Sequence, residues 1–348
     1  MEFRPPLERT PASSPPPPDQ GLDLALRPAS FEEFIGQRDV IRNLRVAVKA
    51  ARMRDEPVDH ILLSGPPGLG KTTLAAAIAR EMGTGFREIS GPRLERPADL
   101  AGILTGLRRG DVLFIDEIHR LRMQVEEYLY SAMEDFKLII MLDQGTRART
   151  VNLDIQPFTL VGATTREGQL SAPFRARFGI HERLDLYDEE DLVRVARRTA
   201  DLLGIQLEEA AGEMIAARAR GTPRMVNRFL RRIRDLAAVE AQGLADVGVV
   251  EEALLRIGLD AAGLLPLDRR LLEALARAAP HPVGLKTLAV SVGEEERTIE
   301  DVYEPFLIRQ GFLAKTPRGR VLTEKGFRAL GERSPRDAQD TGTLFSEG

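Results

Sequence analysis

Short apolar runs alternate with longer segments of helical period over the first half of the chain. A strand buried on both faces reads as a continuous apolar run, so this alternation predicts a parallel sheet flanked by helices. The candidate strands are Ile61–Ser64, Phe86–Ser90, Val112–Ile115, Phe158–Ala163 and Glu182–Leu186. The first folded part of the chain is therefore predicted to be an α/β domain.

The pattern then becomes helical. Asp188 is placed to cap a helix that Gly204 ends, and Thr222 followed by Pro223 is typical of a helix start. The predicted helices are Glu189–Leu203, Leu207–Arg220, Arg224–Val239 and Val249–Ile257. They make a small all-helical domain.

A third pattern begins after Leu264, where three helical segments precede two short strand-like runs that flank the turn 315–319. This is the order of a winged-helix domain. The segments are Leu267–Ala279, Leu285–Val292, Thr298–Gln310, Phe312–Ala314 and Arg320–Thr323. We therefore divide the chain into a Pro-rich, disordered tail (1–20), the α/β domain (21–186), the helical domain (187–258), the winged-helix domain (259–334) and a polar tail (335–348).

Composition narrows the class of protein. The 348 residues include 43% hydrophobic and 29% charged residues with a net charge of −4, so any nucleic-acid site has to be local. The absence of cysteine excludes disulfides and a thiol nucleophile, and the four histidines show no metal-ligand spacing. No apolar run approaches the roughly 18 residues of a membrane span, and no signal peptide is evident. A cytoplasmic protein without a membrane partner is expected.

The most informative segment is Gly65–Thr73, which fits the phosphate-binding pattern G-x-x-x-x-G-K-[ST] between a candidate strand and a helix former. Its glycines, among them Gly68 and Gly70, let backbone N–H groups approach phosphate oxygens. Lys71 can reach the β- and γ-phosphates, and the Thr72 hydroxyl can hold Mg²⁺. The segment predicts a nucleotide site; the alternative is a Gly-rich turn that binds nothing.

Two acids end the apolar run that begins at Val112. Asp116 is predicted at the carboxyl end of this strand, where it can hold Mg²⁺ through water, and Glu117 can polarise the attacking water. Alone, the pattern also fits a core strand followed by a helix cap, but after a P-loop it favours hydrolysis. His119 completes D-E-I-H, which superficially matches the DExH helicases, although an ordinary helix-start residue is the better interpretation.

Three later residues complete a candidate hydrolysis site. Thr165 follows the strand that begins at Phe158 and can orient the lytic water. Arg177 is a candidate arginine finger for a neighbouring subunit. Arg224 lies in the first turn of a helix, where the helix dipole disfavours a cation unless an anion such as phosphate is near. The alternatives are a Thr-rich turn and ordinary surface arginines.

In this order, the motifs resemble those of the AAA+ ATPases, and within them the motors that move four-way DNA junctions. The resemblance runs over about residues 22–330 and is carried by Leu26–Pro28, Phe34–Gln37, Gly65–Thr73, Leu113–Leu121, Met133–Phe136, Phe158–Arg166, Arg177–Ile180, Gly221–Arg224, Pro282–Leu285 and Gly311–Arg320. It implies an α/β AAA+ P-loop domain with a parallel sheet, a small all-helical lid domain and a C-terminal, DNA-binding winged-helix domain.

The resemblance also implies roles for individual residues. The adenine end of the nucleotide would be contacted by Leu26, Arg27 and Tyr187, and phosphate and Mg²⁺ would be bound by Gly68, Gly70, Lys71, Thr72 and Thr73. The Walker B pair would be Asp116 and Glu117, sensor 1 would be Thr165, the arginine finger Arg177 and sensor 2 Arg224. Further nucleotide contacts would come from Glu134, Asp135 and Phe136. ATP and Mg²⁺ are the implied cofactors. Duplex DNA, a homo-hexameric ring with ATP sites between subunits, a junction-binding protein and a junction resolvase are the implied partners.

A hairpin is predicted over residues 137–155, with its turn near Gln144 and Gly145. Val151 and Leu153 project from the same strand face. Core packing is the ordinary explanation for such a pair. The resemblance implies instead that this hairpin docks the junction-binding partner, which an exposed apolar patch would support.

The turn of the winged-helix domain is the best candidate for DNA contact. Lys315, Arg318 and Arg320 are predicted to contact phosphates, which carry no sequence information. The preceding helix carries acids at positions 300, 301 and 304, so we expect the wing to contact the DNA backbone rather than this helix to enter the major groove. A solvated basic turn is the alternative. One departure from the family is the order G-E-E-E-R-T at 293–298, which displaces the usual arginine by one position to Arg297, so no DNA role is assigned to it.

The sequence therefore predicts an ATP-driven motor that moves the crossover of a four-way DNA junction in homologous recombination and DNA repair. A clamp-loader-like switch would lack the basic winged-helix end. A protein unfoldase would need an aromatic–hydrophobic–glycine loop between the Walker motifs, which this sequence does not contain. A P-loop small-molecule kinase would leave the winged helix and the G-T-P-R motif without a use.

Overall fold

A computed structural model describes residues 25–141, 150–260 and 262–332. The Pro-rich tail, the hairpin turn at Gln144 and Gly145, and the polar C-terminal tail fall outside these ranges. The described residues form two compact units. One comprises 25–64 and 71–183, and the other comprises 65–70 and 184–332.

The first unit is built on a five-stranded parallel sheet of order β2-β3-β6-β1-β7. Its strands are β1 (Ile61–Ser64), β2 (Phe86–Ser90), β3 (Val112–Asp116), β6 (Thr159–Thr164) and β7 (Ile180–Arg183), while β4 (Lys137–Met141) and β5 (Thr150–Asp154) form the predicted antiparallel hairpin. Every residue of β1 and β6 is buried, which explains their unbroken apolar runs.

Helices pack on both the sheet and one another in this unit. They are α1 (Arg38–Arg54), α2 (Lys71–Met82), α3 (Pro97–Leu104), α4 (Met123–Glu134) and the short α5 (Ala172–Arg175). Leu113 and Leu160 of the sheet join Leu100 of α3 and Leu129 of α4 in one buried cluster. This packing fixes the strands whose carboxyl ends carry the candidate site.

The last predicted strand of this unit is displaced in the structure. It was expected at Glu182–Leu186, but β7 runs from Ile180 to Arg183 and pairs Ile180 with Ile61. The buried Leu184, which lies within the expected range, already belongs to the second unit. Apolar character alone does not separate a strand end from the start of the next packed segment.

The second unit begins with the predicted helical domain. Its helices are α6 (Glu189–Leu203), α7 (Glu209–Arg218), α8 (Pro223–Glu240) and α9 (Val247–Arg256). The Asp188 carboxylate caps α6 by accepting the N–H of Asp191, and Gly204 ends the helix with φ 69°, both as predicted. The domain is not purely helical, because β8 (Gln206–Leu207) pairs with β9 (Leu244–Ala245).

The same unit ends in the predicted winged helix. It contains α10 (Pro266–Ala278), α11 (Leu285–Val292), α12 (Glu296–Thr298), α13 (Glu304–Arg309) and α14 (Glu324–Leu330), with the hairpin β10 (Leu313–Thr316) and β11 (Gly319–Leu322). The single helix expected over 298–310 is interrupted by a π-helical turn at Ile299–Tyr303. Pro305 explains this interruption, because it lacks the N–H that would continue the α-helical bonds.

Candidate functional site

The glycine-rich loop connects β1 to α2 as predicted, and two of its glycines are required by their surroundings. Gly65 and Gly68 have φ values of 129° and 82°, which side-chain-bearing residues rarely adopt. A Cβ on Gly65 would lie 2.3 Å from the carbonyl oxygen of Leu184, and one on Gly68 would lie 3.0 Å from Cβ of Arg224. The loop thus runs directly beside the residue predicted as sensor 2.

The first turn of α2 carries the residues predicted to bind phosphate. Lys71 is only 8% exposed, whereas Thr72 and Thr73 are partly accessible. The first N–H groups of a helix have no partner within the helix and sit at its positive end. Together these groups have the chemistry that a polyphosphate requires.

The carboxyl ends of neighbouring strands bring the predicted catalytic residues to one edge of the sheet. Ser64 of β1 lies in register with Thr164 of β6, and Ile115 of β3 lies in register with Gly162. Asp116 therefore ends its strand at the same edge at which Thr165 follows β6. The Asp116 carboxylate accepts the N–H of Glu117 at 2.9 Å.

Glu117 has a left-handed backbone. Its φ is 49°, and this conformation costs a non-glycine residue about 1–2 kcal/mol. Its carboxylate pairs with Arg120 at 2.7 Å while remaining partly exposed. Strain of this kind concentrates at functional sites, so the geometry supports Glu117 as a positioned acid rather than a simple helix cap.

His119 lies in a short 3₁₀ helix at Ile118–Arg120, in agreement with its interpretation as a helix-start residue, and it also makes a contact that the sequence did not indicate. Its Nδ1 lies 3.0 Å from the Thr164 hydroxyl, which also accepts the N–H of Arg166 at 2.9 Å. This hydrogen bond links the turn after β3 to the end of β6. His119 therefore joins the segment predicted as Walker B to the segment predicted to carry sensor 1. The D-E-I-H sequence was the available signal, but it does not show that the imidazole faces the next strand.

The predicted arginine finger lies against the end of α4. Arg177 donates to the carbonyl of Pro173 at 2.7 Å and to the Glu134 carboxylate at 3.3 Å, and its guanidinium carbon lies 4.1 Å from the centre of the Tyr130 ring. The structure thus brings together Arg177 and Glu134, which the sequence assigned separately to nucleotide binding. The aromatic ring and the two acceptors orient the guanidinium.

The two residues after Glu134 differ in character. Asp135 is exposed. Phe136 packs on Phe158 and His60, with ring-centre distances of 6.1 and 6.4 Å. Its ring contributes to the hydrophobic core. Phe136 is only partly buried, so its implied nucleotide contact stays a prediction.

The residues predicted near the adenine are divided between the two structural units. Leu26 is buried and Arg27 exposed in the first unit. In the second unit, the Tyr187 hydroxyl donates to the carbonyl of Leu69 at 3.4 Å, and the Tyr187 N–H donates to Gly221 at 2.9 Å. The side chain of Arg224 is exposed, and its backbone N–H lies 3.4 Å from the Gly68 carbonyl oxygen. Tyr187 and Arg224 thus both contact the glycine-rich loop.

The hairpin predicted to dock a partner is present, with Leu153 directly opposite Leu138. Leu138 is fully buried, whereas Leu153 is 37% exposed. The side chain of Val151 lies outside the described residues. An exposed leucine beside a buried one supports an apolar contact surface here.

The wing corrects one of the three predicted DNA contacts. The Arg320 side chain is 8% exposed and donates to both carboxylate oxygens of Glu304, so it is a buried structural ion pair and not a phosphate contact. Lys315 is exposed and pairs with Glu300 at 3.3 Å. Arg318 is exposed at the tip of the hairpin and has no ion-pair partner among the described residues. Lys315 and Arg318 remain candidates.

Within 25–141, 150–260 and 262–332, no three metal-ligating side chains come together. A Mg²⁺ ion at Thr72 and Asp116 would therefore draw its other ligands from phosphate and water, as this ion commonly does. None of the helices in the described ranges has the length and apolarity needed to cross a bilayer.

Comparison with known proteins gives a consistent result over the whole described chain. Family models match for the Holliday junction DNA helicase RuvB P-loop domain at 26–184, the RuvB AAA lid domain at 187–260 and the RuvB C-terminal winged-helix domain at 261–331. The Holliday junction branch migration complex subunit RuvB of Myxococcus xanthus is 52% identical over 330 residues, which cover 94% of this chain and 96% of the relative. The RuvB subunit of Prosthecochloris aestuarii is 51% identical over 333 residues, covering 95% and 96%.

The fold agrees with a solved structure. The Thermotoga maritima RuvB Holliday junction branch migration motor superimposes with a TM-score of 0.82 at 49% identity, covering 89% of this chain and all of that one. The parallel sheet, the P-loop, the Walker B edge and the following helical domain define an AAA+ P-loop ATPase with a winged-helix end. More narrowly, this chain belongs to the RuvB family.

Proposed function

We propose that this protein hydrolyses ATP to drive branch migration of Holliday junctions in homologous recombination and DNA repair. The observation that carries the proposal is the complete order of RuvB P-loop, lid and winged-helix domains over 26–331, with each nucleotide motif at the strand or helix end that its chemistry needs. Branch migration breaks and remakes equal numbers of base pairs, so its net free-energy change is near zero. Each step still has a barrier, because the stacking of one base-pair step is worth about 1.4 kcal/mol, and ATP hydrolysis therefore supplies direction and speed.

In the proposed site, the nucleotide is held by its phosphates. Lys71 and the N–H groups of the first turn of α2 neutralise them; Thr72 and Asp116 are the residues that would hold Mg²⁺, which would supply further charge neutralisation. Glu117 orients the attacking water, Thr165 contacts the γ-phosphate and Arg224 reports on its presence. Thr73 and Gly70 supply backbone and hydroxyl contacts, while Leu26, Arg27 and Tyr187 contact the adenine end.

The arginine finger is proposed to act on a neighbouring subunit of a homo-hexameric ring. Arg177 and Glu134 form one cluster held by Tyr130, and Asp135 lies exposed beside it. Such a preformed cluster suits contact with a separate molecule's nucleotide, because the guanidinium is already oriented. An arginine finger contributes about 10³–10⁵ to turnover.

Mixing experiments test this arrangement. Lys71→Ala abolishes ATP binding; unchanged affinity would contradict the P-loop role. Arg177→Ala binds ATP without hydrolysing it, and mixing it with a Glu117→Gln protein restores part of the turnover, because some interfaces then combine an intact finger with an intact acid. No rescue at any mixing ratio would indicate that the finger acts within its own chain. Arg122→Ala, at an exposed arginine paired with Glu95, serves as the control.

The macromolecular contacts are proposed as follows. Lys315 and Arg318 contact duplex DNA through its phosphates. The hairpin bearing Leu153, with Val151 on the same strand, binds a RuvA-like junction-binding protein, and the complex hands its product to a junction resolvase in the cytoplasm. Leu153→Asp is expected to abolish partner binding while the protein's own ATP hydrolysis persists. Retained partner binding by this variant would remove the hairpin from the interface.

The central assay is dissociation of a synthetic four-way junction with ATP, with and without the junction-binding partner. Dissociation that requires ATP and increases with the partner is the expected result. A clamp-loader-like switch would instead hydrolyse ATP on DNA without moving the crossover.

A further inference from the structure

The turn between α7 and α8 joins three parts of the second unit. Two consecutive residues of this turn, Arg220 and Gly221, have left-handed φ values of 58° and 76°. The Gly221 carbonyl accepts the N–H of Tyr187, and three residues later Arg224 approaches the glycine-rich loop with its backbone N–H. The backbone of residues 219–224, which we name the sensor turn, is therefore tied to the residues around the nucleotide loop.

The side chain of Arg220 reaches in the other direction, into the winged-helix domain. Its guanidinium donates to both carboxylate oxygens of Asp268 in α10 and to the carbonyl of Gly263 at 3.2 Å. Its carbon atom lies 4.0 Å from the centre of the Phe306 ring in α13. Arg309, also in α13, donates to the main-chain carbonyl of Arg220 at 3.1 Å. One residue thus contacts both helices.

Asp268, which accepts from Arg220, is itself held in place by burial and by a second hydrogen bond. Asp268 is fully buried, and its carboxylate also accepts the N–H of Leu265 at 2.7 Å at the start of α10. Burial raises the pKa of Asp268, and the adjacent Arg220 opposes that shift. A guanidinium that donates to both oxygens of a buried carboxylate fixes orientation as well as charge, which a lysine ammonium cannot do.

We propose that Arg220 is a positioning residue that couples the sensor turn to the winged-helix domain, so that a displacement of the turn is delivered to the DNA-binding end. The proposal rests on the proposed role of Arg224 at the phosphates, and it adds a specific path from that residue to α10 and α13. Neither the nucleotide nor DNA needs to touch Arg220.

The first test compares ATP use with junction movement in the full-length protein, with a four-way junction and the partner present. Arg220→Lys keeps the charge and loses the planar fork, whereas Asp268→Asn keeps the shape and loses the charge. Both variants are expected to retain ATP affinity and DNA-free hydrolysis, while the junctions dissociated per ATP hydrolysed fall at least about fivefold, the lower end of typical coupling between sites. Arg269→Lys, on α10 with a partly exposed partner in Asp260, is the matched control and keeps the wild-type ratio.

The second test measures the link directly. Because the chain has no cysteine, spin labels attach only at engineered sites, and Val239→Cys in the lid and Val290→Cys in the winged helix are 83% and 78% exposed. The distance distribution between the labels is expected to be narrow in the parent protein and to broaden with Arg220→Lys. Should the core variants fail to fold, Arg309→Gln removes an exposed donor to the same turn and is expected to lower the ratio in the same direction.

Three outcomes would overturn the inference. An unchanged ratio of junctions to ATP with an unchanged distance distribution would leave Arg220 without a coupling role. A wild-type ratio in Arg309→Gln would do so if the other variants unfolded. Loss of ATP affinity equal to that of Arg224→Ala would mean that Arg220 acts by holding the nucleotide site itself. Retained ATP affinity in Arg224→Ala would instead contradict the proposed sensor role, so the two failures are distinguishable.

Discussion

Replacing Arg320 by alanine is expected to unfold the wing rather than to weaken a DNA contact. Arg320 and Glu304 form a pair whose side chains are 8% and 3% exposed, and the backbone of Arg320 is paired with Val283 in addition. Removing one partner of a buried pair leaves the other charge without compensation and costs about 3–5 kcal/mol. Arg320→Ala should destabilise the hairpin by this amount.

Hydrogen exchange of the full-length protein, followed by mass spectrometry of peptides from residues 313–322, measures this loss locally. Every 1.36 kcal/mol corresponds to tenfold in an equilibrium, so exchange should accelerate by about two to four orders of magnitude. Arg318→Ala is the contrast, since its side chain is exposed at the hairpin tip. It should leave exchange unchanged and lower the salt dependence of DNA binding by about one unit of slope.

Wild-type exchange in Arg320→Ala, together with a reduced salt slope, would refute this reasoning. It would mean that the Arg320 guanidinium leaves Glu304 to bind phosphate. The double variant Arg320→Leu with Glu304→Leu provides an independent check, because removing both charges avoids the uncompensated carboxylate and should cost less than Arg320→Ala alone.

Two further predictions concern the first unit and the nucleotide loop. The buried His60 accepts the N–H of Leu160 on Nδ1 and donates from Nε2 to the Met133 carbonyl. Burial lowers the pKa of His60 below its ordinary 6.5. The contribution of His60 to the free energy of unfolding is therefore complete above pH 6.5 and is lost as the pH falls towards the folded-state pKa, by up to about 1.4 kcal/mol per pH unit. Denaturant titrations at several pH values should show this slope, and His60→Gln should flatten it; an equal slope in both proteins would contradict it. Gly65→Ala, whose Cβ would meet the Leu184 carbonyl at 2.3 Å, should abolish ATP binding in a fluorescent-nucleotide titration, whereas Gly102→Ala, in α3 with open space around it and no left-handed φ, should not.

Locally encoded features could be predicted from the sequence. The bounds of β1, β2, α6 and α11 agree with prediction because caps, glycines or short apolar runs mark both ends. Asp188 and Gly204 act within three or four residues of their own positions, so no distant information is needed. The P-loop and the Walker B residues lie at strand ends for the same reason.

Long-range pairings could not be predicted in the same way. Arg320 looked like a surface cation because its buried partner, Glu304, is 16 residues away on a helix, whereas Arg320 lies on a strand. The pair of Arg220 and Asp268 spans 48 residues, and the hydrogen bond of His119 with Thr164 spans 45. Charge and period identify which residues are polar, but only the packed chain determines which of them face inwards.

The helix that precedes the wing carries the partly exposed carboxylates of Glu300 and Asp301, whereas Glu304 is buried against Arg320, and a π-helical turn breaks the helix's regularity. A groove lined by phosphates repels such a helix, which leaves the proposed grip on DNA to cations that meet every nucleotide alike. Binding one sequence about 10³-fold more tightly than its neighbours would trap a travelling enzyme there. Sequence-independent binding thus permits the motor to move at a uniform rate through any pair of homologous DNA molecules.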